Sequence, residues 1–266
     1  MSATALEALP DEVLKEILTL KEAAIRLETR EKAKDHFMSF VHHVYDGFIE
    51  GRHHRIIAEK LERVARGELK RLIVNMPPRH SKSEFASYLM PAWFLGRNSK
   101  LKIIQATHNT ELAVRFGRKV RDLMGSDSYR DIFPNSPLKT DDKAAGRWGT
   151  AAGGEYFAAG VGAAVTGRGA DLFIIDDPHS EQDALSDNAF DHAYEWYTSG
   201  PRQRLQPGGA IILVMTRWGT KDLTGRLLKA QSEDRMSDQW EVWWNSRQSC
   251  RLTSHCGQNF GIKTIY

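Results

Sequence analysis

The feature that most constrains the fold is a short β-branched apolar run that ends in a turn and passes at once into a helical pattern. The run covers residues 72–75, the turn ends in Lys82 and Ser83, and the amphipathic pattern begins at Glu84. A helix start presents free backbone N–H groups and the positive end of its dipole, which together favour an anion. This order predicts a phosphate-binding loop, in which Lys82 neutralises terminal phosphates and Ser83 reaches Mg²⁺.

The loop departs from the usual P-loop pattern at two positions. That pattern has glycine directly before the lysine and again five residues earlier, where this chain has Ser81 and Met76. Glycine is common there because the backbone approaches a phosphate closely or takes a positive φ. From these residues alone, an ordinary strand–turn–helix corner with a solvated Lys82 stays open.

Length and composition predict a soluble globular protein with one large domain or two small ones. Of the 266 residues, 41% are hydrophobic and 27% are charged. The net charge of +3 permits a polyanionic partner without requiring one. No apolar stretch has the length of a signal peptide or a membrane span. The only cysteines are Cys250 and Cys256, so nearly the whole chain folds without a disulfide, which favours the cytoplasm.

The first part of the chain predicts helices. Apolar residues at helical spacing and an acidic start at Asp11 favour a helix over residues 11–35, as a lead-in or an interaction arm. Another helix over residues 54–67 is expected to end at Gly67. Five histidines occur nearby, in a spacing that matches no familiar zinc pattern, so a packed helical layer is favoured over a metal site: His36, His42, His43, His53 and His54.

From residue 72 onward, predicted strands and helices alternate. The strands cover residues 72–75, 102–106, 153–160, 172–177 and 210–215, and the helices cover 84–96, 109–123, 187–198 and 222–228. Residues 125–150 are predicted to be a loop and residues 207–209 a turn. This alternation predicts a three-layer α/β domain with a mostly parallel sheet over about residues 50–230. One helix carries a basic face, for which a solvated surface is favoured over a DNA contact: Arg115, Arg118, Lys119 and Arg121.

Two further strand ends carry residues suited to phosphate chemistry. One apolar strand ends in Asp176 and Asp177, where one carboxylate can hold Mg²⁺ and its neighbour can polarise the attacking water. Another ends in Thr216 and Arg217, which can sense a γ-phosphate. A turn before Pro178 and an ordinary strand end are the alternatives. Ligands of open α/β sheets bind beyond the carboxyl ends of the strands, where all three motifs fall, so nucleotide binding is favoured.

Three stretches resemble the large terminase subunits of tailed bacteriophages. Residues 75–84, which include Pro-Pro-Arg-His-Ser-Lys-Ser, resemble their P-loop. Residues 162–178, in which Thr166-Gly-Arg-Gly-Ala-Asp171 leads into Ile-Ile-Asp-Asp-Pro, resemble the approach to their Walker B carboxylates. Residues 215–228 resemble their coupling motif, and the whole resemblance covers about residues 35–241.

This resemblance implies a P-loop ATPase of the additional-strand class that pumps viral DNA into a capsid. In the family, the coupling strand lies between the P-loop and Walker B strands, which implies that Thr216 lies beside the γ-phosphate. Lys82 would bind the β- and γ-phosphates, Ser83 and Asp176 would hold Mg²⁺, and Asp177 would be the catalytic carboxylate. The remaining implied residues are Pro78, Arg79, His80, Ser81, Glu84 and Arg217 around the nucleotide, and Arg168 as a finger into a neighbouring subunit.

The implied ligands are ATP and Mg²⁺. The implied partners are double-stranded DNA, a portal protein and a small terminase subunit in the cytoplasm of a bacterial host, with no membrane. A homo-oligomeric ring is implied on the procapsid. Two other functions stay open at this point: a helicase-like nucleic-acid ATPase, and a non-hydrolysing nucleotide-binding or assembly module.

The predicted organisation is a helical lead-in over residues 1–45, an ATPase domain over 46–241 and an irregular tail over 242–266. Many terminases have glutamate after the Walker B aspartate, where this chain has the shorter Asp177. The family continues into a nuclease domain with clustered acidic metal ligands, and we expect no nuclease activity from this chain. Because the residues after 243 lack an apolar period, we expect that the reading frame changes there.

Overall fold

The computed structural model describes residues 10–142, 144–165 and 167–244. Its α-helices are α1 (Asp11–Asp35), α2 (Phe37–Val44), α3 (Arg52–Ala65), α4 (Met90–Arg97), α5 (Thr110–Met124), α6 (Asp127–Ile132), α7 (Asp187–Ser199) and α8 (Leu223–Glu233). Its strands are β1 (Arg71–Asn75), β2 (Lys102–Thr107), β3 (Arg147–Gly149), β4 (Glu155–Gly160), β5 (Ala170–Asp176), β6 (Leu205–Met215) and β7 (Glu241–Trp244). A π-helical segment, Glu84–Leu89, precedes α4, and short 3₁₀ turns cover Asp183–Leu185 and Pro201–Arg204.

The strands form one sheet in the order β3-β4-β2-β5-β6-β1-β7. Neighbouring strands pair in parallel, except that β3 is antiparallel to β4. Parallel neighbours require crossover connections; α5 and α6 lie in the one between β2 and β4, and α7 lies in the one between β5 and β6. The carboxyl ends of the parallel strands therefore meet along one side of the sheet, called the carboxyl edge below. The predicted mostly parallel α/β fold is confirmed, and β6 lies between β1 and β5, as the terminase resemblance implies.

Alternate residues of the central strands enter two separate cores, because successive side chains of a strand point to opposite faces. On one face, Leu172 and Ile174 of β5 belong to the core that α1 to α6 cover. On the other face, Phe173 and Ile175 belong to the core that α7 and α8 cover. Both faces of the sheet are thus buried, which explains why its strands are apolar at consecutive positions. This is the three-layer arrangement that the sequence predicts.

Two predicted connections are wrong. Residues 125–150 contain α6 and β3 instead of an uninterrupted loop, and α6 begins there because the Ser126 side chain caps it by accepting a hydrogen bond from the Tyr129 N–H. Residues 207–209 are not a separate turn but part of β6. Opposite them the pairing with β5 shifts register, and Gly208 absorbs the irregularity with a φ of +83°.

The start of the predicted irregular tail is also regular structure, which corrects that prediction for residues 242–244. These residues belong to β7, which pairs in parallel with β1 at the edge of the sheet. Glu241, the first residue of β7, accepts from Lys60 and Arg63 of α3, so the strand is fixed to the helical layer. Residues 245–266, with the expected change of reading frame and both cysteines, lie outside the described residues.

The histidines of the first part of the chain have partners within the helical layer. His42 pairs with Glu50 at 2.6 Å, and His43 pairs with Asp131 at 3.4 Å. Across the three described ranges, no group of three histidine, cysteine, aspartate or glutamate side chains is placed to hold a metal ion. In the same ranges, no helix combines the length and the apolar character needed to cross a bilayer.

His54 is the buried histidine of this layer. Its Nδ1 accepts a hydrogen bond from the Gly51 N–H at 2.9 Å, so the neutral ring carries its proton on Nε2. The ring stacks on Phe85 and tilts against Phe48, with centroid separations of 5.0 and 4.8 Å. Burial above all, and then the nearby His53, lower the pKa of His54 to about 4. The folded protein therefore holds this side chain neutral where an unfolded chain would protonate it.

We expect His54 to make the protein acid-sensitive. Between pH 6.5, the ordinary pKa of histidine, and pH 4, the unfolded chain binds a proton that the folded chain excludes, so the free energy of unfolding falls as the pH drops. Between neutral and mildly acidic pH, the free energy of unfolding should fall by about 2 kcal/mol less in His54→Gln than in wild type, as measured by urea unfolding. The matched control is His192→Gln at an exposed position. An equal effect of both variants would contradict the assignment.

Candidate active site

The three sequence motifs meet at the carboxyl edge of the sheet. The loop of residues 76–83 follows β1. Asp176 is the last residue of β5, Asp177 comes directly after it, and Thr216 follows β6. Near its carboxyl end, strand β6 pairs regularly with both neighbours, so that Met215 lies opposite Asn75 of β1 and Val214 lies opposite Asp176 of β5. The alignment of these strand ends therefore brings the loop, the carboxylates and Thr216 together.

The loop takes an unusual backbone conformation without glycine. Among the described residues, three that are not glycine have a positive φ: Arg79 at 63°, Ser81 at 63° and Asp177 at 41°. Ser81 stands directly before Lys82, where P-loops usually have glycine, and it adopts the left-handed conformation that glycine would adopt there. Such residues cost about 1–3 kcal/mol each and persist where the surroundings impose them, commonly at functional sites. All three positions border this candidate site.

Met76 shows why the other expected glycine is not needed. Its side chain is fully buried in the core under the helical layer. Its N–H continues the pairing of β1 with β6 by donating to the Met215 carbonyl oxygen at 3.1 Å. Its φ is not among the positive ones. Position 76 therefore extends the sheet and fills the core, which an apolar side chain does better than glycine.

Lys82 forms an ion pair with the second of the two aspartates at the end of β5. Its Nζ lies 2.7 Å from Oδ2 of Asp177, and the lysine side chain is only 7% exposed. The Asp177 backbone is held on both sides, because its N–H donates to the Val214 carbonyl oxygen and its own carbonyl oxygen accepts from the His108 N–H. A nearly buried lysine needs an opposite charge nearby, and Asp177 supplies it in this structure.

Asp176 is the more deeply buried of the two carboxylates, at 2% exposure. Its Oδ1 accepts a hydrogen bond from Ser83 Oγ at 3.0 Å, and its Oδ2 accepts one from Ser87 Oγ at 2.7 Å. Burial and then the adjacent charge of Asp177 raise the pKa of Asp176 to about 7, while the two serines and Lys82 oppose that rise. The carboxylate is thus oriented by two hydroxyl groups.

Ser87 is a site residue that the sequence reasoning missed. It is fully buried and lies in the π-helical segment Glu84–Leu89, one turn after Ser83. π-Helical turns are rare and occur often at functional sites. The available signal was a second serine four residues after Ser83, since residues at that spacing share a helix face. A buried hydroxyl beside a carboxylate could not be predicted without knowing that this face meets β5.

Thr216 connects all three motifs. Its N–H donates to Oδ1 of Asp177 at 2.9 Å, and its Oγ1 donates to the Met76 carbonyl oxygen at 3.3 Å. One carboxylate oxygen of Asp177 therefore accepts a hydrogen bond from the Thr216 backbone, and the other pairs with Lys82. A displacement of β6 would move Asp177 and the start of the loop together.

Arg217 has a partner other than a phosphate site. Its Nε donates to both oxygens of Asp222, at 3.0 and 2.7 Å, and its Nη2 donates to the Gly219 carbonyl oxygen. Asp222 is fully buried and also caps α8 by accepting from the Gly225 N–H. Arg217 thus holds the turn between β6 and α8, and the prediction that it binds nucleotide stays a prediction.

Comparison with known proteins gives little beyond this geometry. No protein-family model matches the chain, and no curated protein matches it. Among solved structures, it is similar to the large terminase of bacteriophage HK97. The similarity has a TM-score of 0.45 and 13% sequence identity, and it covers 70% of this chain and 38% of that one. A likeness this distant carries no functional conclusion, and this chain spans well under half the length of that protein.

Arg168 lies far from the candidate site of its own chain. It precedes β5 and pairs with Glu155 at the start of β4. It therefore lies at the amino ends of the parallel strands, on the side of the sheet opposite to the carboxyl edge. The length of β5 separates it from Asp177 by about 20 Å, at 3.3 Å per residue. Arg168 therefore cannot serve its own site in this conformation, and its role as a finger toward another subunit stays a prediction. The neighbouring Thr166 lies outside the described residues.

The other predicted loop residues lie around Lys82 with varied exposure. Pro78 and Arg79 are exposed. His80 Nδ1 is 2.8 Å from the Pro78 carbonyl oxygen, which fixes the ring over the loop. Glu84 accepts from Lys119 of α5 at 2.9 Å and so joins the start of the π-helical segment to a second helix. Their binding roles stay predictions.

Proposed function

We propose that this chain is a Mg²⁺-dependent ATPase whose nucleotide binds at the carboxyl edge of the sheet. One observation carries the proposal: Lys82 and Ser83 of the loop contact Asp177 and Asp176, respectively, at the carboxyl end of the buried strand β5, which β6 separates from β1. A lysine and a hydroxyl at a helix start, facing a carboxylate pair, are the groups that phosphoryl transfer requires. The alternative of a solvated Lys82 does not fit a side chain that is 7% exposed.

The residues present fit a magnesium ion. Mg²⁺ prefers oxygen ligands and is commonly held by a P-loop hydroxyl and a carboxylate, and Ser83 Oγ and Asp176 Oδ1 lie 3.0 Å apart. These two residues would hold the ion. When bound, Mg²⁺ neutralises charge that develops on the β- and γ-phosphate oxygens. The second hydroxyl, from Ser87, leaves Asp176 oriented whether or not Ser83 turns toward the ion.

Lys82 and Asp177 must separate for the proposed reaction. Phosphate oxygens would replace the Asp177 carboxylate as the partner of Lys82 Nζ, because one ammonium group serves both anions poorly. The released Oδ2 of Asp177 could then accept a proton from the attacking water, while the Thr216 N–H keeps Oδ1 in place. The ion pair of this structure thus represents a closed arrangement that nucleotide opens.

We further propose that the ATPase is the motor of a terminase large subunit, which moves double-stranded DNA into a procapsid. Support comes from the three motifs and from the position of β6 between β1 and β5. A portal protein, a small terminase subunit, a ring of copies and the cytoplasm of a bacterial host belong to this proposal. The second candidate is a nucleotide-binding module that does not hydrolyse ATP, which the closed Lys82–Asp177 pair favours.

Nucleotide binding tests the proposed site. A fluorescent ATP analogue should bind the purified chain in the presence of Mg²⁺, and ATP should displace it far better than AMP, which lacks the phosphates that Lys82 would contact. The matched control is Lys229→Ala, which removes an exposed lysine of α8. Equal displacement by AMP and ATP, or no binding at all, would contradict the proposal.

Ser87→Ala should raise the Mg²⁺ concentration that nucleotide binding requires. Without the hydroxyl, Asp176 loses one of its two hydrogen bonds, and a hydrogen bond to a charged group contributes about 1.5–3 kcal/mol. The Mg²⁺ concentration for half-maximal analogue binding should rise roughly tenfold. Ser87→Thr retains a hydroxyl and should restore most of the affinity. A Ser87→Ala protein with an unchanged Mg²⁺ dependence would show that Ser83 alone orients Asp176.

A further inference from the structure

Most of helix α1 has no packing partner in the described chain. The helix is 25 residues long, yet Ala33 is its one fully buried residue. Near its end, Arg26 and Arg30 bind Asp131 of α6, and the Ala33 carbonyl oxygen accepts from Trp93. Among the described residues, none makes such a contact with the part before Arg26, although helices in proteins are stabilised mainly by packing an apolar face. This part is called the α1 arm below.

The apolar residues of the α1 arm and of the next helical turn of α1 are spaced as in a coiled coil. Val13, Ile17, Leu20, Ala24 and Leu27 follow one another at intervals of four, three, four and three residues. That alternation places all five along one seam of a helix, in the a and d positions of a heptad. The large members are exposed by 38, 36, 64 and 56% of their surface in chain order. Singly exposed apolar residues are common on proteins, whereas a continuous exposed seam marks an interface.

The seam faces away from the described residues on which α1 packs. At about 100° per residue, its centre lies roughly 130° around the helix from the side that carries Arg26, Arg30 and Ala33. That side is the one that packs on α6 and α4. A second protein chain could therefore occupy the seam without displacing any contact described here.

The charges beside the seam favour a second copy of this chain in parallel orientation. In the heptad frame Glu16 occupies a g position, and Lys21 occupies the e position of the next heptad. Two parallel copies place Glu16 of each beside Lys21 of the other, so two attractive pairs form by symmetry. Within the described chain, neither side chain forms an ion pair. The apolar seam is also self-complementary, because each layer meets its own counterpart.

We propose that the α1 arm pairs with that of a second copy as a short parallel two-stranded coiled coil. The seam has only five layers, and Ala24 fills one of them with a single methyl group, so the dimer should be weak and should dissociate on dilution. The proposal does not depend on the ATPase function. Lys82→Ala should leave it unchanged, since Lys82 lies at the carboxyl edge of the sheet.

Sedimentation velocity of the whole chain over a wide concentration range tests the proposal. Wild type should shift reversibly from monomer to dimer. Leu20→Glu should raise the dissociation constant by about 100-fold or more, because it removes two buried leucines and places two carboxylates in the seam. Leu18→Glu is the matched control, since Leu18 is 56% exposed on another face of the arm. Both variants should keep the thermal unfolding of wild type.

Two further variants test the orientation. Lys21→Glu should weaken the dimer by placing like charges together, and the exchanged pair Glu16→Lys with Lys21→Glu should restore it. In a chain whose Cys250 and Cys256 are replaced by serine, Val13→Cys should form a disulfide between copies under oxidation only if the helices are parallel. A chain that stays monomeric at all concentrations would overturn the proposal. A dimer that survives Leu20→Glu, or that Leu18→Glu weakens equally, would overturn it too.

Discussion

Lys82→Ala is expected to reduce ATP hydrolysis by a factor on the order of 10³, because one buried positive charge that would stabilise the phosphates in the transition state is lost. Lys82 is 7% exposed, and its ammonium group is 2.7 Å from Asp177. Its removal also leaves the two aspartates without their nearest positive charge. Affinity for ATP should fall as well, since the lysine would contact phosphate in the ground state.

The measurement is steady-state phosphate release at saturating Mg²⁺, with the binding of a fluorescent ATP analogue on the same samples. Lys229→Ala serves again as the control for removing a lysine charge, because it lies exposed on α8. Circular dichroism should show that the Lys82→Ala chain is folded. A Lys82→Ala protein that hydrolyses ATP at the wild-type rate would exclude this loop as the phosphate site.

Asp177→Asn is expected to lower the turnover number by about 10²–10⁴ with a much smaller change in nucleotide binding, since an amide cannot accept the proton of the attacking water. The amide can still accept the hydrogen bond from the Thr216 N–H that Oδ1 accepts in this structure, so the site should keep its shape. Removal of the negative charge also frees Lys82. Binding of ATP is therefore expected to stay equal or to become tighter.

Glu181→Gln is the matched control for Asp177→Asn, because Glu181 is an exposed acid shortly after it in the chain. Single-turnover phosphate release separates the chemical step from binding and product release. We expect Glu181→Gln to hydrolyse ATP at the wild-type rate. The reverse pattern, normal turnover in Asp177→Asn and none in Glu181→Gln, would transfer the role of the base to Glu181.

The fold was largely predictable because its signals are local. Consecutive apolar residues mark strands buried on both faces, and β1, β2, β5 and the end of β6 appear in the sequence as such runs. Residues after a strand end necessarily lie at the carboxyl edge, so the convergence of Lys82, Asp176 and Thr216 followed from chain order. The order of the strands did not follow from local signals; the terminase resemblance predicted only that β6 lies between β1 and β5, and this is confirmed.

The details that escaped prediction depend on tertiary contacts. Ser81 could take the glycine conformation only because its surroundings impose it, and Met76 needs no glycine because it is a core residue. Ser87 matters through its distance to Asp176, which no spacing rule contains. β7 is short and of mixed composition, and it is a strand because β1 offers it an unpaired edge.

The two arginines show the same limit for charged residues. The resemblance implies that Arg217 lies at the nucleotide and that Arg168 reaches into a neighbouring subunit, whereas within this chain each pairs with a carboxylate: Arg217 with Asp222, and Arg168 with Glu155. A sequence motif identifies the strand end at which a side chain begins, but it does not identify the partner that a long flexible side chain reaches. The position of a short side chain, such as that of Ser83 or Asp176, therefore follows more directly from its backbone than that of an arginine.

Hydrolysis of ATP by the purified 266-residue chain, with and without linear double-stranded DNA, tests the central claim most directly. We predict Mg²⁺-dependent turnover that DNA stimulates and that disappears in Lys82→Ala. Turnover without stimulation would support the ATPase and contradict the motor. Nucleotide binding without turnover would favour a binding module in which the Lys82–Asp177 pair stays closed. If the chain shows no turnover and no Mg²⁺-dependent nucleotide binding, the account of the site as a whole is contradicted.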